Sequence, residues 1–297
     1  MRFEFINIPY QGSRMKAMFT KVIAAGCIAA FTMGAQTALA ADLLTDIKEK
    51  KQISIGTEAQ FPPFEYVEDG KIVGYSTDLL ALVMEQLPDV KATRQDVPFQ
   101  AILPGLAARK FDFIVTSVTV TKERASRFAM TLPIADATVA LVRHAGATEF
   151  TSPDQLSGKV AGSQAGSAQL KVLQAYDKKL RDEGKPGLKE IREYVSFDEA
   201  YADLAAGRLE AVSQSLPNLA SLVKTRPDTF SIIEPAIGPK TYYAWVGRKD
   251  PGSESLVKLF NDGIAKANTS GKMTELQQKW FGFTMNVPAD HLPEPTM

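Results

Sequence analysis

Cysteine is all but missing from these 297 residues; the single one, Cys27, lies near the N-terminus. A chain that starts beyond it forms no disulfide and offers no thiolate nucleophile. Histidine is scarce too: only His144 and His291 occur, without metal-ligand spacing. Neither a catalytic triad nor a phosphate-cradling glycine loop can be traced, so no cofactor and no metal is expected. Charge of one sign is not in excess, with 34 basic against 34 acidic side chains. That balance argues against nucleic acid or an anionic membrane surface as partner. No stretch after the first forty residues is long and apolar enough to cross a bilayer.

The first forty residues have their own character. Lys16 and Lys21 form a positive segment, Val22 to Phe31 a short apolar core, and Ala38-Leu39-Ala40 a small-x-small cleavage site. This reads as a secretory signal peptide, with the residues before Met15 an upstream start. Cys27 follows Ala24-Ala25-Gly26, but too few apolar residues separate it from Lys21 for a lipoprotein signal. Cleavage after residue 40 removes four basic groups and one acid, leaving 30 basic against 33 acidic side chains, a net charge of −3. Export without disulfides fits a bacterial periplasm. The remaining chain, about 255 residues, suffices for two lobes with separate cores.

Strand-like and helix-like runs alternate along it. Strands are expected at Ile53–Thr57, Val90–Val97, Phe111–Ser117, Lys159–Ser163, Ile191–Val195, Leu209–Gln214 and Thr241–Gly247. Helices are expected at Ser76–Leu87, Gln100–Ala108, Ser167–Glu183, from Ser196 to Gly207, and near Glu254–Asn268 and Met273–Trp280. Ser196-Phe-Asp-Glu199 is a capping box. Such alternation means βαβ units, mostly parallel sheets and an α/β class.

Two blocks recur. Gly56-Thr-Glu-Ala59 parallels Gly162-Ser-Gln-Ala165, and Leu106–Ile114 parallels Leu204–Val212. The repeat predicts two similar α/β halves with Ser117 and Ser215 at equivalent strand ends. Ile134–Ala140 and Glu234–Lys240, flanked or marked by Pro133, Pro235 and Pro239, are the expected crossings between them. Two crossings make a hinge.

The strand from Phe111 passes into hydroxyls, Thr116, Ser117, Thr119 and Thr121, and ends at Arg124. Ligands of open α/β sheets sit off the carboxyl ends of strands. Hydroxyls and a guanidinium there make a site for a small anion, most simply a carboxylate held by the two-pronged Arg fork.

With these residues in view, the chain resembles the periplasmic substrate-binding proteins of polar amino acid ABC transporters (bacterial solute-binding protein family 3). The resemblance rests on Gly56-Thr-Glu-Ala-Gln-Phe-Pro-Pro-Phe-Glu65, Gly74-Tyr-Ser-Thr-Asp-Leu79, Leu103-Pro-Gly-Leu106 with Lys110-Phe-Asp112, Thr119-Val-Thr-Lys-Glu-Arg124, and Gly271-Lys-Met-Thr-Glu-Leu276 with Lys279-Trp-Phe-Gly282. It implies a two-lobed, type II periplasmic-binding-protein fold, each lobe a mostly parallel sheet flanked by helices. Lobe 1 would comprise residues 41–136 and 240–297, lobe 2 residues 137–239. A small amino acid or related carboxylate would be captured between the lobes by a monomer and delivered to an inner-membrane ABC permease.

The resemblance also implies roles. Arg124 would bind the ligand α-carboxylate, joined by Ser117 and Thr119 and by Gly166, Ser167 and Ala168 at a helix start, where free N–H groups and the helix dipole favour an anion. Phe61 and Phe99 would pack on the ligand stem, with Phe64 in the core. Glu58 would reach the distal end, suiting a cation or an amide. At Ser215, Ser76 and Ile134 the chain departs from the pattern. Relatives carry an aspartate for the α-ammonium where Ser215 stands. Either Glu58 or another acid takes the ammonium, or the ligand is an N-substituted amino acid, an opine or a simple carboxylate. A rival on the same scaffold is a cyclohexadienyl dehydratase-like enzyme, with Glu58 as its acid. A free sensory ligand-binding subunit is a third reading.

Overall fold

The structure, a computed structural model, describes residues 42–297; the expected signal peptide and Cys27 lie outside the described residues. The chain starts with helix α1 (Leu43–Lys50), capped by the Asp42 carboxylate on the Thr45 N–H, and enters strand β1 (Gln52–Thr57). Three short strands follow, β2 (Gln60–Phe61), β3 (Glu65–Glu68) and β4 (Lys71–Val73), then α2 (Tyr75–Met84), β5 (Lys91–Asp96), α3 (Phe99–Ala107) and β6 (Phe113–Thr119). After α4 (Lys122–Arg127) come β7 (Phe128–Met130), β8 (Ala135–Asp136) and β9 (Val139–His144). The next stretch holds β10 (Val160–Gln164), α5 (Ala168–Asp182), β11 (Glu190–Tyr194), α6 (Phe197–Ala205), β12 (Ala211–Ser215), α7 (Leu216–Thr225) and β13 (Phe230–Ile233). The chain finishes with β14 (Tyr242–Arg248), α8 (Glu254–Thr269) and α9 (Lys272–Phe281).

Two sheets organise these elements. The first runs β5-β1-β6-β14-β7, with β8 also on β14; the second runs β11-β10-β12-β9-β13. In each, three parallel strands meet an antiparallel fourth, β14 on β6 and β9 on β12. The chain leaves the first sheet after β8, joins the second at β9, and returns from β13 to β14. The passages take in residues 137–138 and 234–241, against the expected stretches 134–140 and 234–240. Strands β2, β3 and β4 form a small sheet of their own.

The internal repeat is structural. Gly56 stands beside Ile114 in the first sheet, and Gly162 beside Val212 in the second, the register that the sequence blocks demand. The Asp112 carboxylate accepts the Ser54 N–H at 2.9 Å, and its counterpart Glu210 accepts the Val160 N–H at 2.8 Å. The Thr57 hydroxyl donates to the Val115 carbonyl, and the Ser163 hydroxyl to the Ser213 carbonyl, both at 2.9 Å. The helix before each third strand ends in a left-handed residue, Arg109 (φ 57°) or Gly207 (φ 70°). Both glycines leave room for a large neighbour. A Cβ on Gly56 would lie 2.6 Å from the Phe111 ring, and one on Gly162 2.9 Å from the Leu209 side chain.

The expected capping box at Ser196 is half formed. Its hydroxyl accepts the Glu199 N–H at 3.4 Å, but the Glu199 carboxylate reaches back to the Val195 N–H instead of the cap's own. Apolar burial holds the layers together. Phe113 stacks on Phe260 at 3.9 Å, and Phe64, Tyr75 and Phe281 form a fully buried trio of rings. Phe64 is thus core, as expected. None of the helices among the described residues is long and apolar enough to cross a membrane.

Candidate functional site

Strand β6 is buried at every position, so its sequence passes from an apolar interior straight to polar residues at its carboxyl end. The Thr121 hydroxyl caps α4 by accepting the Arg124 N–H at 3.2 Å, which turns the arginine back toward the strand end. Its guanidinium is buried, donating to the Thr119 carbonyl at 2.9 Å and, across to the other sheet, to the Gly166 carbonyl at 3.2 Å. It lies over the Phe99 ring at 5.3 Å, where the electron-rich face favours a cation. Burial draws its pKa down to about 10, with Glu123 nearby opposing, so it stays charged at neutral pH. Arg124, Phe99 and Gly166 border a cavity of about 220 Å³, with exposed Glu123 and Lys171 paired at its rim.

Gly166 adopts φ 73°, the left-handed conformation that a glycine takes cheaply. The Ser167 N–H closes a turn on the Gln164 carbonyl at 3.2 Å, and its hydroxyl caps α5 through the Leu170 N–H at 3.0 Å. Both polar groups of Ser167 are therefore engaged within the turn. Ala168 is the first residue of α5 and is buried.

A second cluster surrounds Glu58. This carboxyl is 4 % exposed and accepts a hydrogen bond from the Gln164 amide of the opposite sheet. Glu58 and Gln164 are the paired third positions of the repeat blocks, so they meet across the pseudosymmetry. Burial, with the carboxylates of Glu65, Asp96 and Asp198 adding to it, pushes the Glu58 pKa up to about 8 despite the Gln164 bond. At pH 7 it is mostly protonated. Glu65 is fully buried and its pKa is raised by burial. It accepts the Thr116 hydroxyl at 2.6 Å, the Ser117 N–H at 2.8 Å and the Ser117 hydroxyl at 3.4 Å. The Ser117 amide expected to face a ligand is thus occupied by Glu65.

The third cluster centres on Ser215. Its hydroxyl receives Tyr243 Oη at 2.6 Å and Gln169 Nε2 at 2.9 Å, and donates to the Ala137 carbonyl at 3.2 Å. Its N–H donates to the side-chain carbonyl of its chain neighbour Gln214 at 2.7 Å. Phe61 packs edge-on against Tyr243 at 5.9 Å and lies 5.7 Å from Phe197 of α6, so it sits where the two halves meet.

The fold therefore gathers Arg124, Phe99, Thr119 and Gly166 in one cluster. Glu58, Ser117, Ser215 and Phe61 lie outside it and do not line the 220 Å³ cavity. Glu65, Gln164, Gln169 and Tyr243 were missed from sequence. For Gln164 a signal existed, because the repeat aligns it with Glu58. Gln169 and Tyr243 reach Ser215 from 46 and 28 residues away, and no local pattern announces them. Among the described residues no group of histidine, cysteine or acidic side chains could hold a metal ion.

The comparisons follow from this geometry. The family of bacterial extracellular solute-binding proteins, family 3, matches residues 53–283. The L-arginine-binding protein of Pseudomonas aeruginosa is 31 % identical over 240 residues, covering 78 % of this chain and 89 % of its own. The solved structure of an ancestral arginine-binding protein bound to arginine superposes with a TM-score of 0.68 at 29 % identity, covering 78 % of this chain and 99 % of its own. An ancestral amino-acid-binding protein described as a precursor of cyclohexadienyl dehydratase shares the fold, with a TM-score of 0.71 at 21 % identity over 80 % of this chain and 99 % of its own. With its two sheets joined by two passages, this chain belongs to the bacterial extracellular solute-binding proteins of family 3.

Proposed function

We propose that the protein is the periplasmic ligand-binding component of an ABC importer and captures an amino acid or amino-acid-like carboxylate between its lobes. Lobe 1 takes residues 41–136 and 240–297, and lobe 2 residues 137–239. The observation that carries the reading is the buried, charged Arg124, which spans both sheets through the Thr119 and Gly166 carbonyls. A carboxylate arriving there replaces neutral acceptors with a charged one, and a bidentate, charge-assisted pair is the stronger bond. The Thr119 and Ser117 strand end and the Gly166–Ala168 helix start flank it, with Phe99 and Phe61 as apolar walls. Glu58 and Ser215 form the far wall.

Contacts from both lobes are complete only when the lobes are closed, so ligand free energy selects that state. The closed face is what an inner-membrane permease would read. The mature chain works as an exported monomer that needs no cofactor and carries out no catalysis. Relatives named for arginine support an amino-acid-like ligand.

The test starts with ligand-stripped protein and a thermal-shift screen of amino acids, opines and small carboxylates. Calorimetry on the best ligand then compares wild type with Arg124→Ala. A charged hydrogen bond contributes about 1.5–3 kcal/mol, so affinity should fall at least ~10-fold. Equal affinities would refute the site.

A further inference from the structure

The geometry points to Gln164 as a specificity-determining residue that occupies the Glu58 carboxyl from the opposite lobe and so excludes ligands with a cationic far end. This deepens, and rests on, the carboxylate-binding reading above. The side-chain nitrogen of Gln164 has a partner for each of its hydrogens. One amide hydrogen goes to Glu58 and the other to the Val195 carbonyl at 3.1 Å. Two bonds to two different segments, one in each half, hold the side chain in one pose. It is 1 % exposed, and Glu58 is 4 % exposed.

Glu58 is the buried carboxyl that would otherwise receive a lysine-like or arginine-like end. The charged groups that act most strongly on it, Glu65, Asp96 and Asp198, are all acidic. Among the described residues it pairs with no lysine or arginine. The surroundings would therefore welcome a cation if the position were free. Gln164 fills it with a neutral donor, and Glu58 answers by keeping its proton. A long cationic side chain would have to displace Gln164 from Glu58 and strip that proton. A carboxylate solute with a short or uncharged far end does neither. The substrate class is thus a small carboxylate without a distal cation.

The experiment compares the melting-temperature rise caused by L-lysine and L-arginine on ligand-stripped wild type and on Gln164→Ala. The variant should respond more strongly than wild type to both, with at least a ~10-fold gain in affinity by calorimetry, the change that one new charge-assisted hydrogen bond to Glu58 supplies. Adding Glu58→Gln to the variant should erase that gain. A wild-type response as large as the variant's overturns the inference, and so does no response from either protein. A gain that survives Glu58→Gln overturns it as well. If Gln164→Ala does not fold, Gln164→Ser puts the same question. Arg124→Ala on a small carboxylate tests the earlier reading separately, since the lysine comparison turns on position 164 alone.

Discussion

Replacing Glu58 by glutamine should change how stability depends on pH. The folded chain holds this carboxyl up at about 8 against an ordinary 4.5, because burial disfavours its charged form. The unfolded chain has given up that proton by about pH 5. Stability from the protonated group is thus fully present below about 4.5 and is lost as pH rises through about 8. One proton held only by the folded state costs about 1.4 kcal/mol per pH unit. Between about pH 5 and pH 8 the loss approaches ~4 kcal/mol as an upper limit. Glu58→Gln keeps an oxygen for the Gln164 amide and has no proton to lose. Its stability should therefore fall less steeply than wild type over that range. Glu65 titrates in both proteins, so the difference between them isolates position 58. Urea unfolding at four pH values, on both proteins at the same salt, supplies the two curves. Parallel curves would show that Glu58 ionises freely in the fold and would undo the argument.

Two further outcomes concern the frame of the site. Gly56→Ala places a Cβ 2.6 Å from the Phe111 ring, and overpacking of this kind costs about 1–3 kcal/mol. Adding Phe111→Ala should make the pair less costly than the sum of the singles, which urea unfolding can measure. Glu65→Ala strands the Ser117 N–H and the Thr116 hydroxyl, and each buried unpaired donor costs about 1–3 kcal/mol. Glu65→Gln keeps an acceptor oxygen and should recover part of the loss; a melting point no higher than that of Glu65→Ala would count against this account.

Much of the fold was legible because its central strands are plain apolar runs. Strand β6 is buried along its whole length, and its sequence shows it. Ser196 marked a helix start by its capping chemistry. Strands β7, β8 and β13 were not legible; they are two to four residues long and exist by pairing with distant strands. Helix α7 starts with Leu216-Pro217 directly after β12, and proline in a first turn looks like a loop when the partner sheet is unknown. In the site, Arg124 could be found from its strand end and its motif. The engagement of Ser117 by Glu65 could not, because the two are 52 residues apart. The Glu58–Gln164 contact lay between these extremes. The repeat showed that the two positions correspond, while their meeting face to face depends on how the halves are set against each other.

The swapped fourth strands impose an order on assembly. All five strands of the second sheet come from one uninterrupted stretch, residues 139–233, so it has every strand it needs once Ile233 is in hand. The first sheet must wait, because β14 sits between β6 and β7 and ends only at Arg248. Until then β6 lacks its neighbour on that side. A chain of this design keeps its earliest-made half unfinished until nearly all of it exists.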